Sequence, residues 1–187
     1  NSLIADDYLE SGRAIGISAE GSGTIVSGNN VQGVETISAL GPLFRDSPSS
    51  GDDSFVQFTG NTHSLPISPD VLGYKIHGNY TTVSDCIGYS IGYTGTHILI
   101  AKDSSGEPKF AQQVVISGCN LQNGLYGIRH DDVAGNSNNV RIIGNQLKGV
   151  TTGVEASTGW HLIGNTINWS EGSVGDWGRA AVVLGTV

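Results

Sequence analysis

The sequence predicts an all-β fold in which short strands wind into a solenoid, a parallel β-helix. Three observations predict it: a ten-residue pattern repeated five times, a Gly near the centre of every copy, and no stretch with a sustained helical period. The copies are TIVSGNNVQG (residues 24–33), YKIHGNYTTV (74–83), VVISGCNLQN (114–123), VRIIGNQLKG (140–149) and WHLIGNTINW (160–169).

Read in columns, the third position holds Val26, Ile76, Ile116, Ile142 and Leu162, and the eighth holds Val31, Thr81, Leu121, Leu147 and Ile167. These columns face a core. The second position, Ile25, Lys75, Val115, Arg141 and His161, is mixed, as on the solvent side of a strand with period two. Between the columns stand Gly28, Gly78, Gly118, Gly144 and Gly164, each followed by Asn29, Asn79, Cys119, Asn145 or Asn165. Gly marks a bend, and Asn tolerates left-handed backbone while its amide bonds a like residue stacked above it. The expectation is a corner ladder.

The copies start 50, 40, 26 and 20 residues apart, so a unit near twenty residues is stretched by insertions. The shortest unit holds a further strand-like run, VTTGVEA, whose counterpart GLYGIRH sets Ile128 against Val154 and Arg129 against Glu155; a third strand completes the coil. Seven or eight coils are expected, in one segment spanning 1–187, with a large loop insertion at 41–73.

Composition bounds the partners. The 187 residues are 37% hydrophobic and 14% charged, enough for a one-domain core. No window approaches the roughly 18 apolar residues of a membrane helix, and no signal peptide is legible. The net charge is −8 and the few Lys and Arg are scattered, which argues against nucleic acid. Cys86 and Cys119 read as two small buried apolar side chains rather than a disulfide scaffold or zinc ligands. Neither a metal nor a cofactor is implied. The start at Asn1 and the absence of Met suggest a piece of a longer chain, and the apolar close AAVVLGTV suggests further coils or a trimerisation domain beyond Val187.

The repeated apolar, any, Gly-Asn, any, apolar pattern over residues 24–187 resembles the right-handed parallel β-helix of the pectate-lyase-like superfamily. Irregular coils, long inserts and the lack of a signal look most like a bacteriophage tailspike or capsule depolymerase. That resemblance implies a homotrimer on a virion tail, made in the host cytoplasm, that binds and cleaves bacterial capsule or lipopolysaccharide. It transfers no catalytic residue. The paired-Asp motif of polygalacturonases and the Arg-centred site of pectate lyases are absent in recognisable form.

Candidate residues therefore come from the insertions, since loops on a rigid rod carry sites. The 41–73 insertion holds Arg45, Asp46, Asp52, Asp53 and His63 and reads as a surface flap or one wall of a saccharide groove. After GLYGIR, the residues Arg129, His130, Asp131 and Asp132 crowd together near Glu155. Glycoside hydrolysis needs two carboxyl groups roughly 5–9.5 Å apart, which Asp131 or Asp132 with Glu155 would supply, while Arg129 keeps one ionised. The plainer alternative is a cross-coil ion pair with turn aspartates. The last insert, NWSEGSVGDWG, groups Trp169, Glu171, Asp176 and Trp177; flat rings suit sugar faces or a neighbouring subunit, and Trp160 turns inward. The expected catalytic set is Asp131, Asp132, Glu155, Glu171 and Asp176, with Arg129, His130, Trp169 and Trp177 binding substrate. Two other readings compete: a non-catalytic receptor-binding or structural virion rod, and a secreted, monomeric, calcium-dependent pectinase-like enzyme.

Overall fold

The chain is a right-handed parallel β-helix. The computed structural model describes residues 16–20, 23–32, 42–47, 55–67, 71–101, 111–130, 139–157, 159–168 and 180–184. In chain order the first coil is β1 (Ile17–Glu20), β2 (Ile25–Ser27) and β3 (Asn30–Gln32). The second is β4 (Phe44–Ser47), β5 (Gln57–Thr59) and β6 (Thr62–Leu65), and the third β7 (Leu72–Ile76), β8 (Thr82–Ser84) and β9 (Ile87–Ser90). The fourth is β10 (Thr96–Ile100), β11 (Val115–Ser117) and β12 (Asn120–Gln122), and the fifth β13 (Tyr126–His130), β14 (Val140–Ile143) and β15 (Gln146–Lys148). The sixth is β16 (Thr152–Ala156), β17 (Trp160–Ile163) and β18 (Thr166–Asn168), after which β19 (Ala180–Leu184) opens a seventh.

Every third strand pairs in parallel with the next, building sheet I (β1-β4-β7-β10-β13-β16-β19), sheet II (β2 to β17) and sheet III (β3 to β18). The described residues thus hold six complete coils and the first strand of a seventh. The unit is longer than the shortest repeat: a coil takes 20 residues from Val140 to Trp160 but 33 from Thr82 to Val115.

Two corners explain why the strands turn where they do. Between sheets II and III, Gly28, Gly60, Asp85, Gly118, Gly144 and Gly164 all have φ between 54° and 66°. A β-carbon is disfavoured in that region, so Gly fills five of the six places and Asp, which tolerates it, the other. Before sheet II, the residues Phe55, Tyr80, Gln113 and Asn139 also adopt positive φ, at 44°, 59°, 56° and 63°. There the strain is offset by stacking: the Phe55 and Tyr80 rings lie 4.6 Å apart and nearly parallel, and Gln113 Nε2 donates to Tyr80 Oη at 3.1 Å.

The residue after the first corner faces inward and forms the ladder. Asn61 Oδ1 accepts from Asn29 N at 3.0 Å and Asn29 Nδ2 at 3.1 Å, while Asn61 Nδ2 donates to Val26 O at 2.9 Å. Asn165 repeats this toward Asn145, and Asn145 Oδ1 accepts from Cys119 N at 2.9 Å while its Nδ2 donates to Ile116 O at 3.0 Å. Each amide thereby satisfies backbone groups that turn away from the strand ladders.

The true repeat differs from the one legible in the sequence at two coils. The second coil is VQFTGNTHSL (residues 56–65), which puts Phe58 in the sheet II core column and Asn61 in the ladder. The third is TTVSDCIGYS (residues 81–90), with Val83 in the column and Cys86 in the ladder. Gly78 and Asn79 lie instead on the corner from β7 to β8; Ile76 belongs to sheet I, and Asn79 Oδ1 accepts from Gln112 N at 2.8 Å. Residues 41–73 are accordingly not an insertion: they contain β4, β5 and β6, a whole coil.

Cys86 and Cys119 are not two separate apolar side chains either. They occupy the ladder places of adjacent coils, with Cα atoms 4.5 Å apart, and form a disulfide. Stacking coils at the strand spacing brings like positions within bridging distance, so a Cys pair can replace an Asn pair.

The core is one apolar column per sheet: Phe44, Tyr74, Ile98, Ile128 and Val154 from sheet I, facing Val26, Phe58, Val83, Ile116 and Ile142 from sheet II. At its second and third coils the Phe44 and Tyr74 rings stack at 4.7 Å and Phe58 meets both edge-on.

Candidate functional site

The outer face of sheet I carries the strongest concentration of charge among the described residues. Parallel register stacks Arg45, Lys75, Leu99, Arg129 and Glu155 in one column over five successive coils. Inward neighbours on each strand, such as Ile98, Ile128 and Val154, are fully buried, so period two sends this column outward. Three of the chain's nine Lys and Arg stand here, which sets this face apart from a molecule of net charge −8.

Arg129 is held from two sides. Its guanidinium lies 4.7 Å from the centre of the Tyr126 ring, three residues earlier on β13, and its Nε is 3.2 Å from Glu155 Oε2 on β16. Both of these atoms are shielded from water, and their contact is electrostatic rather than an aligned hydrogen bond. Each side chain as a whole is still more than a third exposed. The cross-coil pairing of Arg129 with Glu155 was legible in the sequence and stands in the structure.

His130, expected among the substrate contacts, is placed otherwise. It follows Arg129 on β13 and so turns inward; it is buried, with its ring edge-on to Trp160 at 5.8 Å. Trp160 packs partly buried against the core, as its place at the head of a column implied. Asp131, Asp132, Trp169, Glu171, Asp176 and Trp177 lie outside the described residues, as do Asp52 and Asp53. The structure therefore brings together Arg129 and Glu155, and adds Tyr126, Lys75 and Arg45.

Two polar constellations inside the solenoid escaped the sequence reading. Asp46, read there as part of a flap, is fully buried where β4 ends. Its carboxylate accepts from His77 N at 2.5 Å, Gly78 N at 3.0 Å and Thr81 Oγ1 at 2.7 Å, pinning the corner from sheet I to sheet II. Burial pushes its pKa up, against the opposing pull of these hydrogen bonds.

The second is His63 against His97. His63 occupies the sheet III core column between Val31 and Gly88, and its Nε2 is 2.8 Å from His97 Nδ1. His97 Nε2 lies 2.6 Å from Asn123 O and 3.1 Å from Gln122 O, so that nitrogen carries the proton, and His97 Nδ1 accepts from His63. Among the described residues His63 Nδ1 has no partner. Burial lowers both pKa values, that of His97 to about 4 and that of His63 well below its ordinary range, where the neighbouring His97 adds to the effect. Gly73 and Gly88 make the room: a β-carbon at Gly73 would lie 2.6 Å from His63 Nε2, and one at Gly88 would lie 2.7 Å from His97 Nδ1. His63 was findable, because the pattern VQFTGNTHSL sets it in the eighth, core-facing position.

No protein family, curated protein or solved structure matches the chain.

Proposed function

We propose that the chain is a tailspike-like polysaccharide-binding and polysaccharide-cleaving solenoid, its substrate lying along the outer face of sheet I. The observation that carries this reading is the Arg45, Lys75, Arg129 and Glu155 column, in which a carboxylate adjoins a fixed guanidinium on a rigid sheet. Arg45 and Lys75 stand one coil apart, about 4.8 Å, and Arg129 lies two coils beyond Lys75 across Leu99, a row of cations that suits an extended glycan with acidic groups. Glu155 would act as one carboxyl of a glycosidase pair or as the proton-abstracting base of a lyase, with Arg129 beside it to orient it. Asp131 or Asp132 follows directly on β13 and would supply the second group. Homotrimeric assembly and a place on a virion tail belong to the same proposal.

The test is product release from purified capsular polysaccharide and lipopolysaccharide, read as new reducing ends and as the ultraviolet absorbance of unsaturated sugars. Glu155→Gln should abolish it. The same change should alter stability by less than about 1 kcal/mol, because the ion pair with Arg129 is partly solvated. Full activity in Glu155→Gln removes this residue from the mechanism.

The second reading, a binding rod without catalysis, is favoured by one observation: Glu155 is already engaged by Arg129. It predicts glycan binding with no product at any protein concentration. Sedimentation as a monomer would count against the tailspike-like assembly in both readings.

A further inference from the structure

We propose that the outer face of sheet III is a second glycan-binding surface, separate from the sheet I column. Six strands give this face twelve outward positions. Seven are amides or tyrosine: Asn30, Gln32, Asn120, Gln122, Gln146 and Asn168 are spread along the face, with Gln122 directly beside Tyr89 and Asn120 diagonal to it. Tyr89 is 47% exposed and stands in register between Ser64 and Gln122, with Ile87 beside it at 51%.

The chemistry of this face selects the ligand. An amide offers two donors and an acceptor, which matches the mixed donor and acceptor character of sugar hydroxyls, and a half-exposed aromatic ring offers a flat apolar surface to a pyranose. Among the described residues the side-chain hydrogen bond within this face joins Gln122 Nε2 to Asn120 Oδ1 at 3.3 Å; the other amides keep their capacity. Charge points the same way. In a chain with 17 Asp and Glu, none of the twelve positions is a carboxylate and one is Lys148, so an acidic glycan meets no repulsion here.

A second copy of the chain fits less well. A stable protein interface engages roughly 20–30 residues a side with an apolar centre. The exposed apolar side chains here are Ile87, Tyr89 and the neighbouring Ile91 and Ile67, surrounded by amides. The inference shares with the functional proposal only the class of ligand.

The experiment uses the full chain on an array of purified bacterial capsular and O-antigen polysaccharides, hyaluronan and dextran, beside a cleavage assay on the same glycans in solution. Tyr89→Ala with Gln122→Ala should weaken array binding about tenfold or more and leave cleavage of short oligosaccharides unchanged. Both side chains point outward, and Gln57→Ala on sheet II is the control for a neutral surface change. Binding lost in Arg129→Ala but intact in the Tyr89 and Gln122 variant overturns the sheet III proposal and leaves the sheet I site standing. Binding lost only in the Tyr89 and Gln122 variant supports it even where no cleavage is found. An array without any bound glycan overturns it, while the solution assay still reports on sheet I. Self-association that Tyr89→Ala abolishes also overturns it, by making the face an interface between copies.

Discussion

His63 Nε2 donates to His97 Nδ1 across 2.8 Å inside the solenoid, and burial keeps both rings neutral. Both folded pKa values lie below that of an unfolded His, so below about pH 6.5 the unfolded chain binds more protons. This contribution to stability is complete above pH 6.5 and is lost as pH falls toward the folded value of about 4. For His97 alone the loss from pH 7 to pH 5 comes to about 2 kcal/mol. Urea unfolding at the two pH values should show a loss of this order. His63→Leu, which places there the residue found at Leu121 and Leu147 in the same column, should flatten the dependence. Asp46, whose pKa is raised, acts in the opposite sense, and an unchanged midpoint would contradict the neutral pair.

Asn145 should be the costliest single ladder residue to lose. Its amide serves Cys119 N, Ile116 O and Asn165 Oδ1 within 3.0 Å, in a fully buried position. Asn145→Ala leaves two buried backbone groups without partners, at about 1–3 kcal/mol each. Denaturant titration should find a loss of about 2–6 kcal/mol. A loss under about 1 kcal/mol would mean that these backbone groups find other partners.

Reducing the Cys86–Cys119 bond should destabilise the fold without unwinding it. The bond closes 33 residues, for which chain entropy predicts about 3–4 kcal/mol. Thermal unfolding with and without dithiothreitol measures this, and the circular dichroism of the reduced chain at low temperature should remain that of a β protein. Two free thiols in the oxidised protein, by thiol titration, would contradict the pairing.

What the sequence disclosed follows from which positions admit few residue types. The corner Gly and the ladder Asn are confined by backbone dihedral and by hydrogen bonding, so Gly28-Asn29, Gly144-Asn145 and Gly164-Asn165 were readable. Sheet I, whose corners carry no shared residue, gave a register only where GLYGIRH and VTTGVEA run close in sequence; there Arg129 and Glu155 were paired in advance. The third coil was misread because Asp85 and Cys86 stand in for Gly and Asn, while the Gly78-Asn79 turn a few residues earlier imitates the motif. The second coil was misread because its prolines and aspartates have the composition of a loop. His63, His97 and Asp46 escaped because polar residues in a solenoid core look, in sequence, like surface ones. His130 was misplaced by a single step of strand alternation.

The coils stack in the register set by the ladder, with Asn61 and not Asn79 above Asn29. Paired cysteines decide it, read by non-reducing peptide mapping with the Cys86–Cys119 bond in place. Asn29→Cys with Asn61→Cys should cross-link spontaneously, as Cys86 and Cys119 do two places along the same stack, whereas Asn29→Cys with Asn79→Cys should not. A bridge in the second pair and none in the first would contradict the winding from which every outward face described above is derived.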